Sequence, residues 1–412
     1  SLKTNADVVL VEVGGTVGDL ENSYFVEAMR ELRYEEGREN VIFFNVTYIV
    51  EPGSLNEYKS KAAQIGLRQL MSLGVQPDMI ICRSQTPVPI SVKEKVSMAS
   101  NVPIERVYNL YDFSDIYEIP LVLRDLGLDS ELFKILNVSP KENGDSVLNF
   151  ENWGEFVGKV KSANRQVVIG IVGKYTNVHD SYLSILKSLE HAAPYFGVKV
   201  KVKWIEATDM EDGKITVEEA LKDVDGVIVP GGFGKRGIEG KIAAIKYVRE
   251  NNIPYLGLCY GMQLAVVEFA RNVCGLKTAH TTEVDPDTTC PIIDIIPEQK
   301  DRLEKSEMGG TMRLGSYQAK LKDNSLVKKL YGKDVITERH RHRWELNPEF
   351  HKILEDNGML LSGIYEERNL AEFIEIPRHK FFLATQAHGE FTSRPLNPSP
   401  LFMGFVQACL NQ

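Results

Sequence analysis

The chain has 412 residues, a length that suggests two or three domains. Hydrophobic residues make up 43% and charged residues 25%, which is the composition of a globular protein and not of a disordered or fibrous one. Its 48 Lys and Arg and 57 Asp and Glu residues give a net charge of −9, which argues against nucleic acid as a partner. No apolar run is long enough to span a bilayer and no secretory signal precedes the first one, so the sequence predicts a cytoplasmic protein without a membrane partner.

Apolar runs alternate with amphipathic segments in the first third of the chain, the pattern of βαβ units around a parallel sheet. The predicted strands are 8–13, 41–46 and 79–82, and the predicted helices are 23–37, 59–73 and 91–100. The first apolar run leads into Glu12, and phosphoryl-transfer sites often place a Mg²⁺ ligand at such a strand end. Glu12 is therefore the candidate metal ligand, with a solvated acid as the alternative.

A polar stretch that opens with Pro140, Asn143, Gly144 and Asp145 separates two such blocks. We predict a first domain at 1–138, a linker at 139–166 with one amphipathic segment near 150–160, and a second domain at 167–412. The second block repeats the alternation, with strands predicted at 167–172, 198–204, 226–229, 254–258 and 381–385.

The five cysteines are odd in number, widely spaced and never form a C-x-x-C pair. They are Cys82, Cys259, Cys274, Cys290 and Cys409. This pattern predicts free thiols in a reducing compartment and no zinc knuckle.

Cys259 stands at a predicted strand-to-helix turn, within the sequence Gly-Leu-Cys-Tyr-Gly. Glycines two residues to either side permit the sharp, strained turn of a nucleophile elbow. The amides at the start of the following helix favour a thiolate. The turn therefore predicts a nucleophilic cysteine, although a buried structural cysteine fits the same pattern.

A base for this nucleophile is offered by His388, with Glu390 two residues further on at the end of a late predicted strand. In an extended segment both side chains lie on one face, so the carboxylate can orient the imidazole. The glycine-rich sequence 229–234 follows another predicted strand and lets the backbone approach a substrate carbonyl closely. We expect the N–H groups of Gly232 and Tyr260 to form an oxyanion hole.

The segments Pro-Gly-Gly-Phe-Gly, Gly-Leu-Cys-Tyr-Gly-Met-Gln and Ala-His-Gly-Glu-Phe resemble the glutaminase domains of class I amidotransferases. Three more segments are similar to CTP synthases: the Glu-Val-Gly-Gly-Thr-Val-Gly-Asp run at 12–19, the Met-Gly-Gly-Thr-Met-Arg-Leu-Gly run at 308–315 and the Glu-Arg-His-Arg-His-Arg run at 338–343. The resemblance extends over nearly the whole chain.

This resemblance implies an α/β fold: a P-loop-like synthetase domain, N-terminally incomplete, followed by a flavodoxin-like class I glutaminase domain. It implies an enzyme that aminates UTP to CTP with ATP, Mg²⁺ and ammonia from L-glutamine. GTP would activate glutamine hydrolysis, CTP would inhibit, and the protein would be a homotetramer.

The resemblance also implies site residues, in four groups. The catalytic triad is Cys259, His388 and Glu390. The glutamine pocket is Gly232, Tyr260, Gly261, Met262, Gln263, Glu283 and Arg343. The UTP and CTP site is Asp19, Leu20, Glu21, Lys59, Lys61, Gln64 and Lys95. The ATP site is Tyr111, Asp112 and Phe113.

Some residues depart from the family pattern. Gly389 stands where proline is usual, which predicts a looser triad, and no G-x-x-x-x-G-K-[ST] phosphate loop occurs. Two other functions therefore stay open: an amidotransferase with another acceptor, and a non-catalytic scaffold. The basic run 339–343 could instead bind nucleic acid, but the acidic net charge of the chain disfavours this alternative.

Overall fold

The computed structural model describes residues 6–52, 58–139, 149–174, 176, 178–295 and 312–411. The chain divides into two compact units, Ser1–Phe150 and Glu151–Gln412, and this division falls inside the predicted 139–166 linker. The predicted amphipathic segment near 150–160 is a helix, Phe150–Ser162. Among the described helices, none is both long enough and apolar enough to cross a membrane.

The first unit contains a parallel sheet with strand order β1-β2-β3. The strands are Phe44–Tyr48 (β1), Met79–Ser84 (β2) and Val107–Tyr111 (β3). The helices are Ser23–Glu36 (α1), Lys61–Ser72 (α2), Ile90–Ser100 (α3), Ile119–Asp125 (α4) and Leu128–Leu136 (α5). Helix α2 forms because Ala63, Leu67 and Leu70 recur at helical spacing and bury one face.

The strand predicted at 8–13 is wrong within the described part of the chain: residues 6–13 form no strand, and Leu10 is 92% exposed. A strand needs a neighbour to pair its backbone groups and a layer to cover its apolar side chains. In the structure this run has neither, so apolar composition alone does not make it a strand. Glu12 is consequently exposed and not at a strand end.

The second unit is built on a nine-stranded sheet with strand order β11-β10-β13-β14-β15-β7-β6-β4-β5. Five strands pair in parallel: Arg165–Gly173 (β4), Val198–Glu206 (β5), Gly226–Val229 (β6), Tyr255–Leu258 (β7) and Phe382–Thr385 (β15). Numbered by themselves, these strands have the order 2-1-3-4-5, which is the flavodoxin-like order. The fold class and all five predicted strands of this block are confirmed.

Helices pack on both faces of the nine-stranded sheet. They are Phe150–Ser162 (α6), Leu183–Ala192 (α7), Ala207–Glu211 (α8), Val217–Ala220 (α9), Ile238–Glu250 (α10), Tyr260–Asn272 (α11), Leu326–Tyr331 (α12), His351–Asp356 (α13) and Pro400–Leu410 (α14). Every residue from Tyr260 to Ala270 is buried, so α11 is a core helix. Such a helix holds its first turn in place, and Cys259 is the residue that precedes it.

An antiparallel extension continues the sheet beyond β15, and sequence periodicity did not predict it. Its strands are Arg313–Leu321 (β10), Val335–His342 (β11), Leu360–Tyr365 (β13) and Leu370–Glu375 (β14). A separate small sheet contains Ala279–Thr281 (β8), Cys290–Ile295 (β9) and Trp344–Leu346 (β12). The buried positions of β11 include Glu338, His340 and His342, which a search for apolar alternation misses.

Candidate active site

Cys259 lies between the end of β7 and the start of α11, as the elbow pattern predicts. Its backbone has φ 49° and ψ −99°, a strained conformation for a residue with a Cβ atom. Its N–H donates to the carbonyl of Thr385 (2.7 Å) in the neighbouring strand β15. The side chain is 3% exposed, so the sulfur lies in a nearly dry environment.

The glycines around Cys259 are required by close backbone packing. A Cβ atom at Gly261 would stand 2.1 Å from the carbonyl oxygen of Val229, which belongs to β6. One at Gly257 would stand 2.8 Å from the Cβ atom of Ala384 and 3.0 Å from the carbonyl carbon of Gly261. These contacts bring the first turn of α11 directly against the sheet.

His388 and Glu390 follow β15 and meet as predicted, with His388 Nδ1 and Glu390 Oε1 2.7 Å apart. The His388 N–H donates to the carbonyl of Arg339 (2.8 Å), and the ring stacks on Phe391. Gly389 opens a short 3-10 helix, Gly389–Phe391, and packs against Leu401. The contact between imidazole and carboxylate is therefore formed with glycine at this position.

The electrostatics of His388 follow from its two partners. Burial by itself would lower the pKa of this imidazole, but hydrogen bonds to Cys259 and Glu390 outweigh it and raise the pKa to about 10. Because Nδ1 is bonded to Glu390, Nε2 is the nitrogen that faces Cys259. The arrangement favours a charged imidazolium beside the sulfur.

Replacing Glu390 with glutamine should lower the pKa of His388, because a neutral amide no longer favours the charged ring. A histidine with a raised folded-state pKa stabilises the fold fully below its unfolded pKa of about 6.5, and this contribution is lost as the pH rises through the folded pKa. The stability difference between the wild type and Glu390→Gln should thus be largest near about pH 6 and small above about pH 10.

Urea denaturation of both proteins across this pH range measures the difference. Glu366→Gln, which removes an exposed carboxylate of the same unit, is the control and should have a small effect at every pH. If the stability difference between the wild type and Glu390→Gln does not vary with pH, Glu390 does not favour the protonated form of His388.

A glycine-rich loop from Pro230 to Gly234 closes the site. A Cβ atom at Gly231 would stand 3.1 Å from the His388 ring and 3.6 Å from the Cys259 Cβ atom, so this backbone lies against both. The loop, Cys259, His388 and Glu390 line one cavity of about 250 Å³. Gly232 lies in the wall of this cavity.

Three side chains hold the loop. Lys174 donates to the carbonyl of Phe233. The Tyr260 hydroxyl donates to the carbonyl of Gly234 (3.2 Å), and the N–H of Gly234 donates to Glu283 (2.8 Å). Burial raises the pKa of Glu283, while the Gly234 N–H and the charges of Lys174 and Arg343 oppose that rise. Glu283 and Arg343, predicted for the same pocket, are thus electrostatic neighbours.

The other predicted pocket residues differ in their surroundings. Met262 is fully buried in the hydrophobic core. Gln263 is 3% exposed and donates to the carbonyl of Trp344 (2.8 Å), while its own Oε1 is buried without a hydrogen bond. Gly261 packs on Val229. Arg343 was the arginine predicted for this pocket, but it is Arg341, two residues earlier, that lines the cavity. Nothing in the sequence distinguished the two.

A buried ionic network ties the antiparallel extension to the strand that follows Arg343. The Arg313 guanidinium lies 3.1 Å from Glu345 and 2.6 Å from Glu372, and all three side chains are almost completely buried. His342 lies 2.7 Å from Glu345. Buried charges persist only when paired, so this network fixes three strands relative to one another. Trp344, whose carbonyl accepts a hydrogen bond from Gln263, is adjacent to Glu345.

The residues predicted for the pyrimidine nucleotide lie on three segments of the first unit. They are Asp19 in a loop, Leu20 and Glu21 in a 3-10 helix, Lys59, Lys61 and Gln64 around the start of α2, and Lys95 in α3. A Cβ atom at Gly18 would meet the Gln69 side chain, so the loop lies beside α2. Helices α2 and α3 pack together, which makes the three segments neighbours.

The residues predicted for ATP lie at the end of β3, with Tyr111 its last residue and Asp112 and Phe113 after it. The Tyr111 and Phe113 rings stack with centroids 4.5 Å apart, and Asp112 pairs with Arg83 (2.9 Å) at the surface. For the metal, no group of three or more His, Cys, Asp and Glu side chains in the described part of the chain is arranged to hold an ion. One exposed carboxylate such as Glu12 suits only an ion held mainly by nucleotide phosphates and water.

Two family models match the chain. The model described as CTP synthase N-terminus matches residues 1–138, and the model described as glutamine amidotransferase class-I matches residues 177–408. The flavodoxin-like sheet, the strained cysteine and the cavity lie within the second match. This unit is therefore a class I glutamine amidotransferase domain.

Relatives extend this result to the whole chain. The CTP synthase of Thermococcus gammatolerans is 50% identical over 404 residues, 98% of this chain and 74% of that protein. That of Caldanaerobacter subterraneus is 48% identical over 407 residues, 99% of this chain and 74% of that protein. The Trypanosoma brucei CTPS glutaminase domain, solved with bound acivicin, has a TM-score of 0.55 and 35% identity, and covers 60% of this chain and 94% of that one. The chain belongs to the CTP synthase family, as the resemblance predicted, and synthesis of CTP is its function.

Proposed function

We propose that this chain aminates UTP to CTP with ammonia that Cys259, His388 and Glu390 release from L-glutamine. ATP phosphorylates the 4-oxygen of uracil, and ammonia displaces the phosphate. The observation that carries the proposal is the position of His388, which contacts both Cys259 and Glu390 at one cavity. This is the arrangement in which a nucleophile, a base and an orienting carboxylate act as one unit.

The raised pKa of His388 sets the order of proton transfers. His388 takes the proton of the Cys259 thiol as general base. The thiolate attacks the amide carbon of glutamine, and His388 gives its proton to the departing ammonia. The neutral imidazole then removes a proton from water, which attacks the thioester and releases glutamate. Glu390 holds the ring in one orientation throughout.

The negative oxygen formed in each attack needs two donors. The N–H of Tyr260 lies in the first turn of α11, where amides have no partner within the helix. The N–H of Gly232 comes from the loop opposite, which Lys174, Tyr260 and Glu283 hold. Two backbone donors from separate elements stabilise the developing charge.

The substrate's own charges identify the rest of the glutamine pocket. Glu283 suits the α-ammonium group and Arg343 suits the α-carboxylate, because a carboxylate pairs with an ammonium and a guanidinium fork with a carboxylate. The buried Oε1 of Gln263 lacks a hydrogen bond and supplies an acceptor near the elbow. The remaining residues of the glutamine pocket are Gly232, Tyr260, Gly261 and Met262. Met262 contributes its backbone, because its side chain lies in the core.

The synthetase reaction is assigned to the first unit. UTP, and CTP as inhibitor, bind the segments that carry Asp19, Lys59, Lys61 and Lys95, whose ammonium groups suit a triphosphate. ATP binds at 111–113 and Mg²⁺ accompanies its phosphates, with Glu12 as a protein ligand. GTP activates glutamine hydrolysis. The enzyme acts in the cytoplasm as a homotetramer.

The test is an assay of the wild-type chain with glutamine, Mg-ATP and UTP. We expect glutamate, ADP and CTP to form together, and GTP to increase glutamate release. Ammonium chloride should replace glutamine as nitrogen source. ATP consumption that requires xanthosine monophosphate or bicarbonate in place of UTP would assign another acceptor. No glutamate release with or without GTP would favour a scaffold.

A further inference from the structure

Gln386 lies directly behind the reactive sulfur and has no role in the mechanism above. It follows the last residue of β15, and its backbone N–H donates to the carbonyl of Glu372 (2.9 Å). Its side chain is fully buried. One end of its amide lies 3.5 Å from Cys259 Sγ and the other end lies 3.2 Å from Gln263 Nε2.

The hydrogen-bond network determines which end of the amide faces the sulfur. Gln263 directs one amide atom at the carbonyl of Trp344 (2.8 Å), and a carbonyl only accepts, so this atom is the NH₂ group. The same NH₂ group faces Gln386, which must therefore present its oxygen to Gln263. The NH₂ group of Gln386 is left to face Cys259.

An N–H group aimed at sulfur favours the charged form. A neutral thiol is a weak acceptor, whereas a thiolate takes a charge-assisted hydrogen bond, and a donor to the charged form stabilises that form. Cys259 is only 3% exposed, so protein groups surround most of the sulfur and supply donors to it. The sulfur thus has two protein donors, the imidazolium of His388 on one side and the amide of Gln386 on the other.

We propose that Gln386 is a further catalytic residue of the glutaminase site, whose amide donates to the Cys259 thiolate and whose orientation is set by Gln263. The proposal rests on Cys259 being the nucleophile. The bond is present before attack, weakens when the sulfur becomes a neutral thioester, and forms again when the thiolate leaves after water has attacked. Gln386 therefore assists both the formation and the breakdown of the thioester.

The test compares Gln386→Met, which keeps the chain length and removes the donor, with Gln318→Met, the same change at an exposed position of β10. The probe is iodoacetamide, applied to the full-length chain without glutamine, with alkylation of Cys259 followed by mass spectrometry. We expect Gln386→Met to be alkylated about tenfold more slowly at neutral pH, with its rate profile moved to higher pH. Gln318→Met should match the wild type.

Glutamine kinetics separate this role from a structural one. We expect Gln386→Met to lower kcat for glutamate release about tenfold with KM little changed, because the interaction concerns the sulfur and not the bound substrate. CTP formation from ammonium chloride should stay at the wild-type rate. Gln386→Glu, which places a carboxylate beside the thiolate, should be slower still.

A second variant covers the case in which Gln386→Met does not fold. Gln263→Met keeps Gln386 but removes the donor that orients it, so slower alkylation is expected there too, together with a higher KM for glutamine. Wild-type alkylation in both variants would overturn the role of Gln386 and leave the triad intact. Glutamate release by a Cys259→Ala chain would instead overturn the proposed nucleophile.

Discussion

Cys259→Ala should abolish glutamine-dependent CTP formation, with glutamate release reduced about 10³-fold or more, while ammonia-dependent CTP formation continues. The reason is that alanine removes the only atom that can form the thioester, whereas the segments assigned to UTP and ATP lie in the other unit. Parallel assays with glutamine and with ammonium chloride measure the two activities in one preparation.

The matched control is Cys274→Ala. Cys274 follows α11, is half-buried and has its sulfur 3.8 Å from the carbonyl of Ile353, at the other end of the helix from Cys259. It should retain both activities. Glutamate release by Cys259→Ala near the wild-type rate would contradict the assignment of the nucleophile, and loss of both activities would show that the variant had damaged the fold.

Gly261→Ala should be the most destabilising single-methyl substitution around the elbow, at about 3 kcal/mol. The added Cβ atom would lie 2.1 Å from the Val229 carbonyl oxygen, and a backbone atom in the middle of a sheet cannot rotate away. Helix α11 must then move away from β6, which shifts Cys259 and the Tyr260 N–H at its start. Urea denaturation followed by circular dichroism measures the stability, and glutamate release measures the site.

Gly158→Ala is the control for this change. Gly158 lies in the exposed face of α6, and a Cβ atom there meets nothing within 4 Å. Alanine favours a helix over glycine, so the variant should be more stable by about 0.5–1 kcal/mol. Equal stability of Gly261→Ala and the wild type would mean that the elbow tolerates a helix shift, and the packing argument would then be wrong.

Sequence reasoning located the elbow because its signal is local. A buried strand, a cysteine between two glycines and a buried helix follow one another between Tyr255 and Asn272. The residues that form the elbow are therefore close together in the sequence, and the pattern can be recognised without knowing the rest of the fold. The contact of His388 with Glu390 is local for the same reason. The role of Gln386 depends on Gln263 and Trp344, which lie 123 and 42 positions away, and only the assembled sheet brings them together.

The antiparallel extension escaped prediction for a different physical reason. Its inward positions carry Arg313 and Glu372, which are buried as an ion pair, and Arg313 also pairs with the buried Glu345 of the small sheet. A search for hydrophobic periodicity takes such residues as exposed. The opposite error occurred at residues 8–13, where an apolar run was taken as a strand although the structure provides no partner strand for it within the described residues.

The position of the reacting groups within the sheet divides the site into a fixed half and an adjustable half. Cys259 and His388 follow β7 and β15, which are paired neighbours near the middle of nine strands, so separating them would require breaking the centre of the sheet. The loop from Pro230 to Gly234 belongs to no strand and is held through side chains such as Glu283. We therefore expect any change in turnover that leaves the domain folded to act through the loop, because the paired strands hold the sulfur and the imidazole at one spacing.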